Sequence, residues 1–153
     1  MGLQNIEAWL GTRRWDVIHF NWGLWDLCYR HPESKAQGKR DKVRGTLSVP
    51  LQEYRENLEK LVVRLKATGA KLIWASTTVV PENEVGRFVG DDKKYNDVAR
   101  EVMKKHGVAI NDLHRVTVDF HGKYSVKPGD VHYTREGSLE LAKVVAKAVE
   151  DRL

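Results

Sequence analysis

The chain has 153 residues, of which 41% are hydrophobic and 31% charged, the size and composition of one globular domain. No apolar run approaches the roughly 18 residues of a membrane span, and the single cysteine, Cys28, excludes an internal disulfide framework. The formal net charge is +5. We expect one domain over residues 1–153 with no membrane partner. A cytoplasmic location is the default, because the first residues show no signal-peptide pattern.

Helices and strands alternate along the chain. The hydrophobic spacing predicts helices over 3–10, 50–68, 91–106 and 111–116, and from Thr134 to near the end. Short apolar runs predict strands over 15–21, 71–76 and 108–110, with irregular segments over 22–49, 77–90 and 117–133. Asp91 or Asp92 is expected to cap its helix. The last helix has an apolar set formed by Leu139, Leu141, Val144, Val145 and Ala148.

This order of elements predicts the fold class. Strands that alternate with helices pair in parallel through right-handed crossovers. We therefore expect a three-layer α/β/α sandwich with a short parallel sheet, flavodoxin-like but with few strands. Ligands of such sheets bind beyond the carboxyl ends of the strands. That rule brings residues 21–26, 76–81 and 120–133 to one rim.

The positive charge is concentrated in the irregular segment 31–44. Five basic residues against two acidic ones give this segment a charge of +3. A solvated loop and a binding strip for an anionic partner are both consistent with it. No nucleic-acid motif accompanies the charge, so nucleic acid is not expected as a partner.

Two polar clusters fall on the predicted rim. In the first, Asn21 ends a strand and is followed by Gly23 and Asp26. An asparagine amide here suits either a turn at the strand end or an oxyanion hole. In the second, Asp130 precedes His132 by two residues, just before a helix. Such a pair is typical of a polar loop, or of a general base oriented by an acid if a turn brings the two side chains together.

Together the two clusters resemble the SGNH, or GDSL-like, hydrolase family. The segment 20–26 is similar to the family's asparagine block, and 130–137 to its terminal Asp–His block. Residues 74–81 and 95–99 are similar to the middle segments. The resemblance implies an ester hydrolase in which His132, Asp130 and Asn21 are catalytic and Asn21 and Gly23 contact the oxyanion.

The chain also departs from the family pattern. The family's Gly-Asp-Ser block, which carries the nucleophile, has no counterpart before Asn21, and the block that supplies a glycine donor is absent. The spacing from Asp130 to His132 is one residue shorter than usual. Ser76 is the best placed serine, although a strand-end hydroxyl bonded to its surroundings is the ordinary interpretation. Cys28 also has two interpretations, a residue that packs in the interior or a nucleophile.

These departures predict an N-terminally truncated domain that lacks the first strands. The strand over 15–21 would then be an apolar sheet edge, which favours pairing with a second copy. We expect a homodimer built on this edge.

Three functions remain open from the sequence. The first is hydrolysis of a small carboxyl or phosphate ester by water that His132 activates. The second is the same reaction assisted by a divalent metal such as zinc or manganese, with His132, Asp130, His19 and Asp26 as candidate ligands. The third is a non-catalytic remnant or binding module whose basic loop holds an anionic partner.

Overall fold

The computed structural model describes residues 2–153. Its helices are α1 (Gly2–Leu10), α2 (Leu51–Lys66), α3 (Asp91–His106), α4 (Leu113–Thr117) and α5 (Arg135–Glu150). Its strands are β1 (Val17–Phe20), β2 (Tyr29–Arg30), β3 (Thr46–Leu47), β4 (Lys71–Ala75) and β5 (Ala109–Asn111). A 3₁₀ turn occupies Gln37–Lys39. No helix in this part of the chain is long and apolar enough to cross a membrane.

The central sheet has three parallel strands in the order β1-β4-β5. Val17 lies opposite Lys71, and Ile73 lies opposite Ala109. The predicted parallel sheet is therefore confirmed, and with it the α/β/α fold class. Within the described residues β1 has one neighbour, so its outer edge is unpaired.

One hydrophobic core joins the sheet to three helices. Helix α2 supplies buried residues at helical spacing, including Tyr54, Leu58 and Leu65, and α3 supplies Tyr95, Ala99 and Val102. These side chains pack with Trp74 of β4, which is fully buried. The core fixes β1 and β4, whose carboxyl ends form the rim.

Helix α5 is much less buried than the other two sixteen-residue helices. It contacts β5 and α4, and Gly137 is its one buried residue. Leu139, predicted to belong to its apolar set, is instead 53% exposed. The other predicted residues of that set, Leu141, Val144, Val145 and Ala148, are half-buried.

Two local predictions were wrong. The segment 22–49 is not wholly irregular, because β2 and β3 form a two-stranded antiparallel ribbon within it. Neither Asp91 nor Asp92 occupies the N-cap position of α3. That position is Gly90, whose left-handed backbone (φ of 90°) favours glycine, and its N–H donates to the Asp92 carboxylate.

Hydrogen bonds from the core hold the rim segments in place. The Tyr54 hydroxyl donates to the Trp22 carbonyl at 2.7 Å and the Tyr95 hydroxyl to the Val49 carbonyl at 2.5 Å. Buried Asn96 pairs with the backbone of Thr77 through both its oxygen and its nitrogen, at 2.8 and 2.9 Å. The loops that begin at Asn21 and Ser76 are thus anchored at the carboxyl ends of their strands.

Candidate active site

A cleft of about 300 Å³ opens beyond the carboxyl end of β1. Four of the residues predicted to form the site line it: Asn21, Gly23, Asp26 and His132. Their side chains and backbone come from the loop after β1 and from the loop before α5. Ligands of parallel sheets bind beyond the carboxyl ends of the strands, and this rule correctly predicted that the two loops lie together although they are more than a hundred residues apart in the sequence.

Asp130 and His132 pair directly. The carboxylate Oδ1 of Asp130 lies 2.6 Å from the Nδ1 of His132 and accepts the backbone N–H of His132 at 3.1 Å. A turn makes this possible, since the Asp130 N–H donates to the Lys127 carbonyl and Gly129 adopts a φ of 72°. The shortened spacing does not prevent the pairing.

The two members of this pair differ sharply in exposure. The side chain of Asp130 is 8% exposed and that of His132 is 57% exposed. With Nδ1 occupied by Asp130, Nε2 is the ring nitrogen left for a reacting group. The buried acid therefore orients an accessible imidazole, the arrangement required of a general base.

The pKa of Asp130 lies below its usual value. Burial alone would raise this pKa, but the hydrogen bonds from the ring and backbone N–H of His132 lower it, as does the charge of Arg40. The favourable contacts outweigh the burial, so Asp130 stays a carboxylate beside the imidazole.

Asn21 is exposed and lines the cleft, but part of its amide is engaged. Its Nδ2 donates to the Ala75 carbonyl at 2.6 Å, which ties the end of β1 to the end of β4. An amide nitrogen carries two N–H donors. One N–H of Asn21 therefore holds the turn at the strand end, as the first of the two interpretations predicts. The second N–H is left for a ligand.

Gly23 and Asp26 are bound to each other. The backbone N–H groups of Gly23 and Asp26 hydrogen-bond the Asp26 carboxylate, while burial raises the pKa of this acid above its usual value. Gly23 also packs against Thr77, whose Oγ1 would lie 1.9 Å from a Cβ at this position. The close packing explains the glycine, and the engaged N–H weakens its predicted role as an oxyanion donor.

The predicted set of metal ligands is not brought together. His19 lies in a separate apolar groove beside Trp15, with its Nε2 at 3.2 Å from the Nδ2 of Asn111. Burial lowers the pKa of His19. Among residues 2–153 no group of three or more His, Cys, Asp or Glu side chains is placed to hold a metal ion.

The alternative nucleophiles have structural partners. The Ser76 hydroxyl donates to Asp112 at 2.8 Å and accepts the His114 N–H, and Ser76 is almost fully buried. Cys28 is fully buried, and burial raises the pKa of its thiol. Neither residue lines the cleft, and the described residues that do line it include no serine, threonine or cysteine.

Sequence reasoning missed the basic wall of the cleft, which consists of Arg30, Arg40 and Arg87. Arg40 belongs to the segment whose charge of +3 was noted, but its burial was not foreseen. Arg87 lies in a loop without periodicity and gave no signal. Both arginines are ion-paired with Glu84, which is fully buried.

Solved structures share this fold. An acetyl xylan esterase superimposes with a TM-score of 0.73 at 16% identity, covering 97% of this chain and 74% of its own. A lipase/acylhydrolase from Enterococcus faecalis gives 0.72 at 18%, covering 99% and 70%. The acetylxylan esterase Axe2 from Geobacillus stearothermophilus gives 0.66 at 16%, covering 95% and 65%.

These similarities define the class of fold. The chain has the α/β/α fold of SGNH-like hydrolases. No protein-family model matches it, and no curated protein matches it.

Proposed function

We propose that this protein hydrolyses ester bonds, with His132 as the general base. The observation that carries the proposal is the pair formed by buried Asp130 and exposed His132 in a cleft that Asn21 also lines. The similar structures named as esterases and as a lipase/acylhydrolase add support for ester chemistry.

The proposed reaction needs no side-chain nucleophile. The Nε2 of His132 accepts a proton from a water molecule whose oxygen attacks the ester carbonyl carbon. Negative charge then develops on the carbonyl oxygen, where the second N–H of the Asn21 amide donates a hydrogen bond. The imidazolium, stabilised by Asp130, returns the proton to the leaving oxygen as the bond from that oxygen to the carbonyl carbon breaks. The products are an acid and an alcohol.

Assistance by a divalent metal stays a prediction of the sequence. Asp130 and His132 would supply two ligands, and the remaining positions would have to be filled by water or substrate. The same assay tests this variant of the mechanism, because removal of metal ions separates it from the mechanism in which His132 acts alone.

The test is a panel of 4-nitrophenyl carboxyl and phosphate esters, assayed with and without a chelator. His132→Ala should lower kcat/KM by about 100-fold or more, the usual contribution of a general base. His106→Ala, at the far end of α3, is the matched histidine control and should keep the activity. Chelator-resistant turnover supports the Asp–His mechanism, and loss that zinc or manganese restores supports the metal-assisted one.

The absence of turnover on every ester would contradict the proposal. The protein would then be the non-catalytic binding module that the basic wall of the cleft also suits.

A further inference from the structure

Two buried arginines in the cleft wall share one carboxylate. The Nη1 atoms of Arg40 and Arg87 both lie 2.9 Å from the Oε1 of Glu84, whose Oε2 accepts the Gly86 N–H at 2.6 Å. The side chains of Arg40 and Arg87 are 10% and 5% exposed, and that of Glu84 is fully buried. The two arginines and the one glutamate together therefore carry a net positive charge close to the cleft.

Arg30 adds a third guanidinium to the same wall. It stacks on the Trp25 ring at 3.6 Å, and its Nε donates to the Ser48 hydroxyl at 3.2 Å. Its Nη1 donates to the Gly38 carbonyl. Its Nη2 is buried and has no hydrogen-bond partner in residues 2–153. A charged donor without an acceptor is costly to bury, so the guanidinium of Arg30, a residue that lines the cleft, lacks one of the acceptors it needs.

The other acids at the cleft offset the charge of this wall only in part. The charge of Arg40 lowers the pKa of Asp130, but the Asp130 carboxylate is bound by His132. The Asp26 carboxylate accepts hydrogen bonds from the backbone N–H groups of Gly23 and Asp26, and burial raises its pKa. Three arginines thus line the cleft, and among residues 2–153 Glu84 is the one carboxylate ion-paired with them. Guanidinium groups bind carboxylate, sulfate and phosphate through charged hydrogen bonds in a fixed geometry.

We infer that the cleft selects esters that carry an anionic group, a carboxylate, sulfate or phosphate, and that Arg30 binds that group. The part of this inference that concerns catalysis rests on the proposed hydrolase function. The part that concerns binding does not, because the guanidiniums and the unpartnered Nη2 belong to the cleft whether or not His132 is catalytic.

The kinetic test compares 4-nitrophenyl hydrogen adipate, which is an anion, with 4-nitrophenyl methyl adipate, in which a methyl ester replaces the carboxylate and removes its charge. The folded wild-type protein should prefer the anionic ester by about tenfold or more in kcat/KM, mainly through KM, since a charge-assisted hydrogen bond contributes about 1.5–3 kcal/mol. Arg30→Gln should reduce this ratio to about one. Lys35→Gln removes an exposed charge from the same loop and should keep the ratio.

A second measurement tests the inference even if the protein hydrolyses no ester. Calorimetric titration of His132→Ala with adipate, sulfate and inorganic phosphate measures anion binding directly and shows which anion the wall prefers. If Arg30→Gln fails to fold, competition by these anions against the neutral ester in the wild-type protein replaces it.

The outcomes separate the two proposals. Hydrolysis of both esters at equal rates, with no binding of any of the three anions, would overturn the inference and leave the hydrolase proposal intact. Binding of an anion that depends on Arg30, with no ester hydrolysed, would support the inference and overturn the hydrolase proposal.

Discussion

Glu84 is the side chain on which the basic wall of the cleft depends. It is fully buried and pairs with Arg40 and Arg87, two guanidiniums that have little contact with water. Removing one partner of a buried ion pair leaves an uncompensated charge in a poorly solvated site. The loss is therefore much larger than for an exposed ion pair.

We expect Glu84→Gln to lower the free energy of unfolding by about 3–5 kcal/mol. Glu82→Gln, two residues away and exposed, is the matched control and should change it by less than about 0.5 kcal/mol. Urea denaturation of both variants measures the difference. Equal stability of the two variants would show that Glu84 does not hold the arginines.

The sequence predicted the residues of the site unevenly. Asp130 and His132 were recognisable because they lie two positions apart and because the family resemblance gives them a place. The pairing of Arg40 with Glu84 was not recognisable, because the partners are 44 residues apart in the sequence and become close only in the folded chain. His19 was misplaced because strand alternation does not show that its ring reaches Asn111, two strands away in the sheet.

At the scale of elements, His19 in the edge strand β1 makes the stability of the protein depend on pH. Burial lowers the pKa of His19 from 6.5, so the unfolded chain takes up a proton at a higher pH than the folded protein does. The contribution of neutral His19 to stability is therefore complete above pH 6.5. It decreases as the pH falls from 6.5 to the lower pKa of the folded state.

We expect His19→Gln to reduce the loss of stability between pH 7.5 and about 5 that the wild type shows, because glutamine does not titrate in that range. Urea unfolding at several pH values measures the effect as the difference between the two curves. Parallel curves for the two proteins would contradict it.

The elements with an apolar pattern were predictable, whereas the two-residue strands were not. The hydrophobic spacing of α2 and α3 located both helices to within about two residues at each end, as is usual for strongly periodic segments. Strands β2 and β3 have two residues each, too few to show any alternation. They form because Tyr29 and Arg30 pair with Leu47 and Thr46 from the two ends of the long segment 31–45, a contact without a sequence pattern.

At the scale of the whole molecule, the homodimer stays a prediction. The feature that favours it is the outer edge of β1, which no described strand pairs with. Val17 to Phe20 contain no lysine or proline to block pairing, and Trp9, 54% exposed, and Trp15, 36% exposed, line the groove beside the strand. Unprotected apolar edges favour association between chains.

Sedimentation velocity at micromolar concentration should give a mass about twice that of the chain if the edges pair, since closed twofold dimers are the commonest assemblies. Trp9→Glu, which puts a charge into the groove, should shift the protein to monomer. Leu139→Glu, at an exposed position of α5, is the control and should remain dimeric. A folded wild-type monomer at this concentration would exclude the homodimer.

The shallow burial of α5 has a consequence for the temperature range in which the cleft stays assembled. His132 lies three residues before this helix, which buries Gly137 and no other residue. Elements with few buried contacts open locally at less cost than global unfolding. Heating would therefore disorganise the Asp130–His132 pair while the core around Trp74 is still folded. We therefore expect α5 to set the upper working temperature of the site, so that substitutions that improve the core raise the melting temperature of the protein without raising the temperature at which the site is lost.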